Sequence, residues 1–516
     1  MASACGQLDE YLAVTRFDVV VVPCEVNERH GTGILLKRIF SDSEGIISLR
    51  SRNVHGGQQD FGGCDFCLSH SGRSYSQVLL EIYQQFKDKR PKQILSVPYF
   101  LDDFLSSIAL KELFDVPMCT YIMDDQNIYD HSIPDDVMRL FLEKSDLRLG
   151  IGTELCEAYE SKYGLKFWTV PPVVEGKFIQ NKIQSPSQNL QNERHGILIG
   201  NIWRQSWLDN LRILIKNSSS KIDWYGKPNR DWLSFQNEEL AADGIVLKGF
   251  FEPFSPEEEK LIELLRTFPY TIIPSAGYED EGQELARLSL PSRIPFIVAT
   301  SNVPVIILGR KDSAAANFVE RFGLGVTCDY DCASFSQAVD FVCDPQNQMQ
   351  IRQRGAELSR LFTADGLADW LWRSLAAKEP IDLRFKELYP SENNQKFATK
   401  QEESVDYKPK LNMENADVLI TLSEVNQKHG TGTLLKRLFA DNSRVLSIRS
   451  IDQYGGQQGF GLKSLALSHS NRIEAFKNLA NLLDVSTIRQ VFCVPYSTNE
   501  LLTAIAIKSL FQVPMA

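Results

Sequence analysis

The feature that most constrains this chain is a long internal repeat. Residues Glu25 to Ser71 align on Glu424 to Ser470 without a gap, and more than half of the positions are identical. E-V-N-x-x-H-G-T-G, L-L-K-R, G-G-Q-Q and L-S-H-S occur in both stretches. After two deleted residues the match resumes, with Val97-Pro98-Tyr99 against Val494-Pro495-Tyr496 and Val116-Pro117-Met118 against Val513-Pro514-Met515. Solenoid repeats have periods of tens of residues, so this much longer spacing implies duplication of a large domain. The second stretch stops at Ala516, where the first continues through Thr120-Tyr121-Ile122 to Asp124-Asp125. We expect it to be the start of a second module in a longer tandem protein.

The first copy alternates short apolar runs with amphipathic stretches. Asp18 to Val22, Ile46 to Leu49, Ile94 to Val97, Cys119 to Met123 and Leu147 to Ile151 are continuous and rich in β-branched residues, as strands buried on both faces of a parallel sheet should be. A second set follows Pro171-Pro172: Ile197 to Ile199, Ile222 to Tyr225, Ile245 to Leu247, Tyr270 to Ile273 and Val305 to Leu308. Leu105, Ile108, Ala109 and Leu113 in the first set, and Trp207, Leu208, Leu211, Leu214 and Ile215 in the second, are spaced for one helical face. The expected fold is α/β, with two facing Rossmann-like domains and a C-terminal partial repeat of the first. The expected boundaries are 1–180 and 195–384 for the two domains, 385–411 for a polar flexible linker and 412–516 for the partial copy.

Composition narrows the function classes. The net charge of -11 opposes nonspecific nucleic-acid binding, because a polyanion meets a repulsive surface. Met1 to Glu10 lack the basic flank and apolar core of a secretory signal, and no apolar run is long enough to span a bilayer. A cytoplasmic protein is expected, with peripheral membrane contact open. Ten cysteines in such a chain read as reduced thiols, and the one C-x-x-C, Cys64 to Cys67, becomes Lys463 and Ala466 in the repeat. It is read as inert, and no metal site is expected.

Three places could carry chemistry. His30-Gly31-Thr32-Gly33 follows the first strand and opens a helix, where glycines admit a ligand to the backbone and free N–H groups favour an anion; the competing reading is a tight strand-to-helix turn. Gln58 and Gln59 in G-G-Q-Q offer amides suited to sugar hydroxyls. Asp124 and Asp125 end a strand at the edge where a doubly wound sheet binds its ligand, and either could act as general base; helix capping is the plainer alternative.

An ordered series then becomes specific: Gly200-Asn201-Ile202-Trp203-Arg204, Asp223-Trp224-Tyr225-Gly226, Leu247-Lys248-Gly249-Phe250, Ile273-Pro274-Ser275, and Pro291-Ser292-Arg293-Ile294 leading to Pro304-Val305-Ile306. Over residues 17 to about 380 the chain resembles glycosyltransferases of the GT-B fold, most of all glycosyltransferase family 4. The resemblance implies transfer of a sugar from a nucleotide diphosphosugar to the hydroxyl of a glycan, lipid-linked glycan or other acceptor, with no cofactor beyond the donor substrate. It implies donor contacts from Gly200, Asn201, Arg204, Lys248, Gly249, Phe250, Ser292 and Arg293; from their own positions Gly31, Thr32 and Gly33 are expected on the donor, His30, Gln58 and Gln59 on the acceptor, and Asp124 or Asp125 in an acceptor-side role. Guanidinium groups and N–H donors can hold a departing nucleoside diphosphate without a metal ion.

Two positions depart from the family. Its usual Glu-x7-Glu is incomplete, since Glu279, Glu281 and Glu284 are followed eight residues later by Arg287, Ser289 and Ser292. Its frequent His-Asp is replaced by Asp124-Asp125. These departures motivate the alternatives of a noncatalytic nucleotide-sugar or glycan-binding module, or a nucleotide-sugar epimerase.

Overall fold

The computed structural model describes residues 16–57, 59–229, 231–280 and 284–389, and, beyond 415, residues 416–422, 425, 430–439, 444–450, 463–467, 479, 488–495, 498–511 and 514–515. The chain divides into two compact units, the larger running to residue 394 and the smaller formed chiefly by residues 395–516.

The larger unit holds two parallel sheets. The first has seven strands, β1 (Phe17–Val22), β2 (Ile46–Arg50), β3 (Cys64–Cys67), β4 (Pro91–Ser96), β5 (Met118–Ile122), β6 (Leu147–Gly150) and β7 (Trp168–Thr169), in the order β3-β2-β1-β4-β5-β6-β7. The second has six, β8 (His195–Ile199), β9 (Lys221–Tyr225), β10 (Ile245–Gly249), β11 (Thr271–Pro274), β12 (Val305–Leu308) and β13 (Gly325–Cys328), in the order β10-β9-β8-β11-β12-β13. Val19 to Val22 of β1 and Val305 to Leu308 of β12 are essentially inaccessible to water, which explains their unbroken apolar character. Each sheet reverses its strand order once, between β1 and β4 and between β8 and β11. A crevice opens at such a point because the flanking connections leave on opposite faces.

Ordinary amphipathic packing holds the helices. In Gln205–Lys216 the buried residues are Leu208, Leu211, Leu214 and Ile215, one stripe against the second sheet. The helix Leu367–Ala377 and the residues after it return to the first domain: Trp372 packs on Phe40, Tyr389 on Trp168, and the Thr153 hydroxyl donates to the Leu388 carbonyl at 2.7 Å. The chain therefore crosses between the domains twice.

Three strands in the larger unit lie outside the apolar runs of the sequence. β3 is a half-exposed edge strand of sequence C-D-F-C, β7 has only two residues, and β13 begins at Gly325. Cys64 and Cys67 occupy positions i and i+3 of β3, so their side chains leave opposite faces of the sheet and cannot be bridged. Both are free thiols.

The smaller unit contains a four-stranded parallel sheet, β14 (Ala416–Thr421), β15 (Val445–Arg449), β16 (Lys463–Ala466) and β17 (Ile488–Cys493), in the order β16-β15-β14-β17. Order and direction match β3-β2-β1-β4. Glu500 is buried and accepts a hydrogen bond from Ser450; Asp103, at the equivalent place in the first sheet, is likewise buried. Among the described residues, no helix is long and apolar enough to cross a membrane.

Candidate functional site

The carboxyl ends of the two sheets in the larger unit enclose a cavity of about 190 Å³. Its first-domain wall is the opening of helix Gly31–Ile39, through Gly31, Ile34, Leu35 and Arg38. Its second-domain wall is Gly200 after β8, Tyr225 of β9, Phe250 and Phe251 after β10, and Ser292, Arg293 and Phe296 at the start of helix Arg293–Ser301. The lining is chiefly apolar and aromatic, with two guanidinium groups set into it.

Backbone geometry explains several of these residues. Gly200 has φ +79°, a left-handed conformation that lets the chain turn sharply off β8 while its carbonyl accepts from the Trp224 indole at 2.8 Å. A Cβ on Gly33 would stand 2.3 Å from the Asn27 carbonyl oxygen, so that glycine is required by packing of the helix on the preceding loop. A Cβ on Gly31 would meet only Ser292 Oγ, at 3.6 Å. Within G-T-G, then, the first glycine opens the cavity and the second closes the turn.

Arg293 lies at the floor, where its Nη1 donates to the carbonyls of Ile199 and Asn201, each at 2.9 Å. Burial pulls its guanidinium down to about 10, still cationic at neutral pH. Arg38 forms an ion pair with Glu258 on helix Pro256–Thr267, donates to the Val173 carbonyl at 3.3 Å, and lies over the rings of Phe254 and Phe296. Its Nε is buried without a hydrogen-bond partner. Burial lowers the Arg38 pKa, against the pull of Glu258 and Glu175.

The first domain's crevice holds the acidic pair, and the structure separates the two carboxylates. Asp125 is buried, and its oxygens accept from the backbone N–H groups of Asn127 (3.0 Å), Ile128 (2.8 Å) and Tyr129 (2.7 Å). It organises the loop that carries Tyr129 onto Arg287 of the second domain, with the guanidinium 5.2 Å from the ring centre. Asp124 is exposed just beyond the carboxyl end of β5, and accepts from the Tyr99 hydroxyl at 2.6 Å; that hydroxyl lies 3.3 Å from Thr32 Oγ1. Desolvation by the protein around it pushes Asp124 up to about 6, with the Tyr99 hydrogen bond pulling down and the Asp125 charge adding to the rise. Tyr99 is in turn held by Asp103, whose Oδ2 accepts from the backbone N–H groups of Tyr99 and Phe100 at 2.9 and 2.8 Å.

The remaining sequence candidates take other places. His30 caps its helix, with Nδ1 accepting from Gly33 N at 3.3 Å and Nε2 on the Glu25 carbonyl, so both ring nitrogens are occupied within the protein. Cys24, His30 and His55 bring three possible metal-ligating atoms within 4.8 Å of one another. The His30 and His55 rings, however, are stacked 4.4 Å apart and inclined by only 16°, and one ion cannot lie in both ring planes. The Gln59 amide is spent on Val26 N, Ser48 Oγ and the Phe61 carbonyl, which pins the loop after β1 to β2; an acceptor contact from it is displaced by this scaffold role. Gln58 lies outside the described residues. Lys248 Nζ sits 3.6 Å from Asp223, away from the cavity wall, whereas Phe250 forms part of that wall. Gly249, with φ +116°, makes the turn between them. Asn201 places its carbonyl on Arg293, and Arg204 lines a second cavity in the second domain. Tyr99, Arg38 and Glu258 were not singled out from sequence, although Tyr99 and Arg38 lie in V-P-Y and L-L-K-R, both present in the repeat.

No protein-family model matches the sequence, and no curated protein matches it. Among solved structures, the chain is similar to the lipopolysaccharide outer core galactosyltransferase WaaB in its apo form, at 11% identity and a TM-score of 0.49, covering 70% of this chain and 99% of that one. It is likewise similar to HepE from Anabaena in complex with UDP, at 10% identity and a TM-score of 0.49, covering 70% and 100%. A UDP-N-acetylglucosamine 2-epimerase from Rickettsia bellii is similar at 13% identity and a TM-score of 0.42, covering 70% and 97%.

Proposed function

We propose that the larger unit is a glycosyltransferase that moves a sugar from a nucleotide diphosphosugar to an acceptor hydroxyl. The observation that carries the reading is the interdomain cavity. It combines aromatic walls for a base with cationic Arg293 and the Arg38–Glu258 pair, and lies between the helix N-terminus at Gly31 and the left-handed turn at Gly200. A leaving nucleoside diphosphate needs this combination: ring faces against the base, and fixed positive charge and N–H donors against the phosphates. Because protein groups supply that charge, the reaction is expected to proceed without a divalent ion.

On the acceptor side, Asp124 is the group that takes the hydroxyl proton. A carboxyl near 6 is mostly ionised at neutral pH yet more basic than an ordinary aspartate, as a general base should be. Tyr99 orients it. Asp125 positions the loop beside it and is not available as a base. Donor departure and acceptor deprotonation then occur on facing walls of one cleft, within the tandem GT-B, family 4 type of protein suggested by the sequence.

The test is transfer or hydrolysis by the purified chain over a panel of UDP-, GDP- and ADP-sugars in the presence of EDTA, with Asp124→Asn alongside. Turnover with one base class, lost in Asp124→Asn, supports the reading. A chain that binds nucleotide sugar and is indifferent to Asp124→Asn would instead be a noncatalytic binding module. Conversion of the free nucleotide sugar to its epimer without acceptor would identify an epimerase.

A further inference from the structure

Arg52 follows β2 and Phe100 follows β4, on either side of β1. The Arg52 guanidinium lies over the Phe100 ring, 3.8 Å from its centre, so the contact passes across the carboxyl end of β1, beside the crevice where the first sheet reverses. The Arg52 backbone N–H donates to the Pro23 carbonyl at 3.2 Å, which fixes the base of the side chain. Arg52 is exposed, and among the described residues it has no carboxylate partner. The acids at this end of the sheet are engaged elsewhere: Glu25 accepts from the N–H groups of Val54 and His55, Asp103 from those of Tyr99 and Phe100, and Asp124 from the Tyr99 hydroxyl. Arg50, two residues earlier, is by contrast paired with Asp65 at 2.9 Å.

The repeat separates this pair from the requirements of the fold. Arg50, Ser51 and Tyr99 recur as Arg449, Ser450 and Tyr496, but Arg52 and Phe100 become Ile451 and Ser497. The strands β14, β15 and β17 nevertheless take the order and direction of β1, β2 and β4. We infer that Arg52 recognises an anionic group, a phosphate or a carboxylate, on the acceptor while Asp124 takes the hydroxyl proton; the inference rests on the transferase reading and names its acceptor class. A guanidinium stacked on a ring keeps its N–H edge free, and that planar fork matches two charged oxygens. A neutral hydroxyl would engage one N–H and leave the charge uncompensated. Nor is the face of Phe100 that the guanidinium covers open to the C–H face of a neutral sugar. The donor's diphosphate is not the anion in question, since Arg52 is absent from the wall of the interdomain cavity.

The experiment is calorimetric titration and saturation-transfer NMR of the full chain with glucose 6-phosphate, glucuronate and glucose, with UDP, GDP and ADP titrated into the same preparations. Glucose 6-phosphate or glucuronate should bind, and glucose roughly tenfold more weakly or not at all. Which of the two binds more tightly tells a phosphate from a carboxylate. Arg52→Gln should weaken the anionic sugar roughly tenfold and leave nucleotide affinity unchanged. Arg52→Ile/Phe100→Ser, which copies the repeat, should do the same at the wild-type melting temperature. Equal binding of glucose, no binding of either anionic sugar at millimolar concentration, or undiminished affinity in Arg52→Gln overturns the inference. So does a loss of nucleotide affinity in Arg52→Gln, which would place the guanidinium on the donor, or a lowered melting temperature in both variants, which would make it a structural clamp. A chain that binds nucleotide but no anionic sugar refutes this inference alone; one that binds neither refutes the proposed function as well.

Discussion

Arg38 and Glu258 join the two domains beneath the interdomain cavity, and their pairing makes a quantitative prediction. Their side chains are 9% and 4% exposed. Glu258 also accepts from the Phe254 backbone N–H at 2.9 Å, while Arg38 donates to the Val173 carbonyl. Glu258→Leu strands a buried guanidinium and the Phe254 N–H together. Removing one partner of a buried ion pair costs about 3–5 kcal/mol, and the lower end applies because Glu175 also acts on Arg38. Arg38→Met strands a carboxylate and should cost a similar amount. The double variant removes both charges and fills the space with side chains that suit Phe254 and Phe296, so it should fall within about 1 kcal/mol of wild type. Urea unfolding, followed in parallel by fluorescence and circular dichroism, measures the three differences, and the coupling between the two sites should exceed about 2 kcal/mol. Additive single effects, or a Glu258→Leu cost below about 1 kcal/mol, would refute the account of this pair as a buried interdomain clasp.

Other expectations follow from the cleft. Turnover should rise with pH through a limb near 6 as Asp124 ionises; Tyr99→Phe removes the hydrogen bond that favours its charged form, so the limb should move to higher pH in a pH–rate profile. Asp125→Asn should lower stability by about 1–3 kcal/mol in chemical denaturation, by weakening acceptance of the loop N–H groups, and should move that limb to lower pH, because the Asp125 charge that helps to raise Asp124 is gone. Gly31→Trp should fill the cavity and weaken nucleotide binding at least tenfold in calorimetry, whereas Gly33→Ala, whose Cβ meets backbone at 2.3 Å, should lower the melting temperature. Asp103 is pushed up to about 7 by burial, above its unfolded value, so it binds a proton more tightly when folded. Its ionisation should therefore cost stability as pH rises towards and through 7, and Asp103→Asn should flatten that part of the stability profile.

Much of this architecture was legible because parallel strands buried on both faces have to be continuously apolar. Val19 to Val22 and Val305 to Leu308 could hardly be anything else. The edge strand C-D-F-C carries no such signature, since it faces solvent and needs no unbroken apolar run. At the candidate site, glycines and strand-end acids marked loops at the carboxyl ends of strands, but sequence could not say which member of each motif turns inward and which is held by its neighbours. Asp124 and Asp125 are adjacent, yet only Asp125 is within reach of the following N–H groups; Gly31 and Gly33 differ only in which one packs on Asn27. His30, placed between strand and helix, and Gln59, with an amide suited to sugar hydroxyls, read as ligand contacts; in the structure His30 bonds to Gly33 and Glu25 of its own loop, and Gln59 to Val26 and Ser48 across to the neighbouring segments. Recurrence could have been read the other way, towards Tyr99 and Arg38, whose roles depend on residues far along the chain.

The central claim is that the cavity between the two sheets binds a nucleoside diphosphate on protein groups alone. Equilibrium titration of the purified chain with UDP, GDP and ADP and their sugars, with EDTA and again with Mg²⁺, tests it most directly. The account predicts saturable binding of one base class in EDTA, little changed by Mg²⁺ and lost in Gly31→Trp. Failure of every nucleotide to bind, or binding that appears only with Mg²⁺, would contradict it.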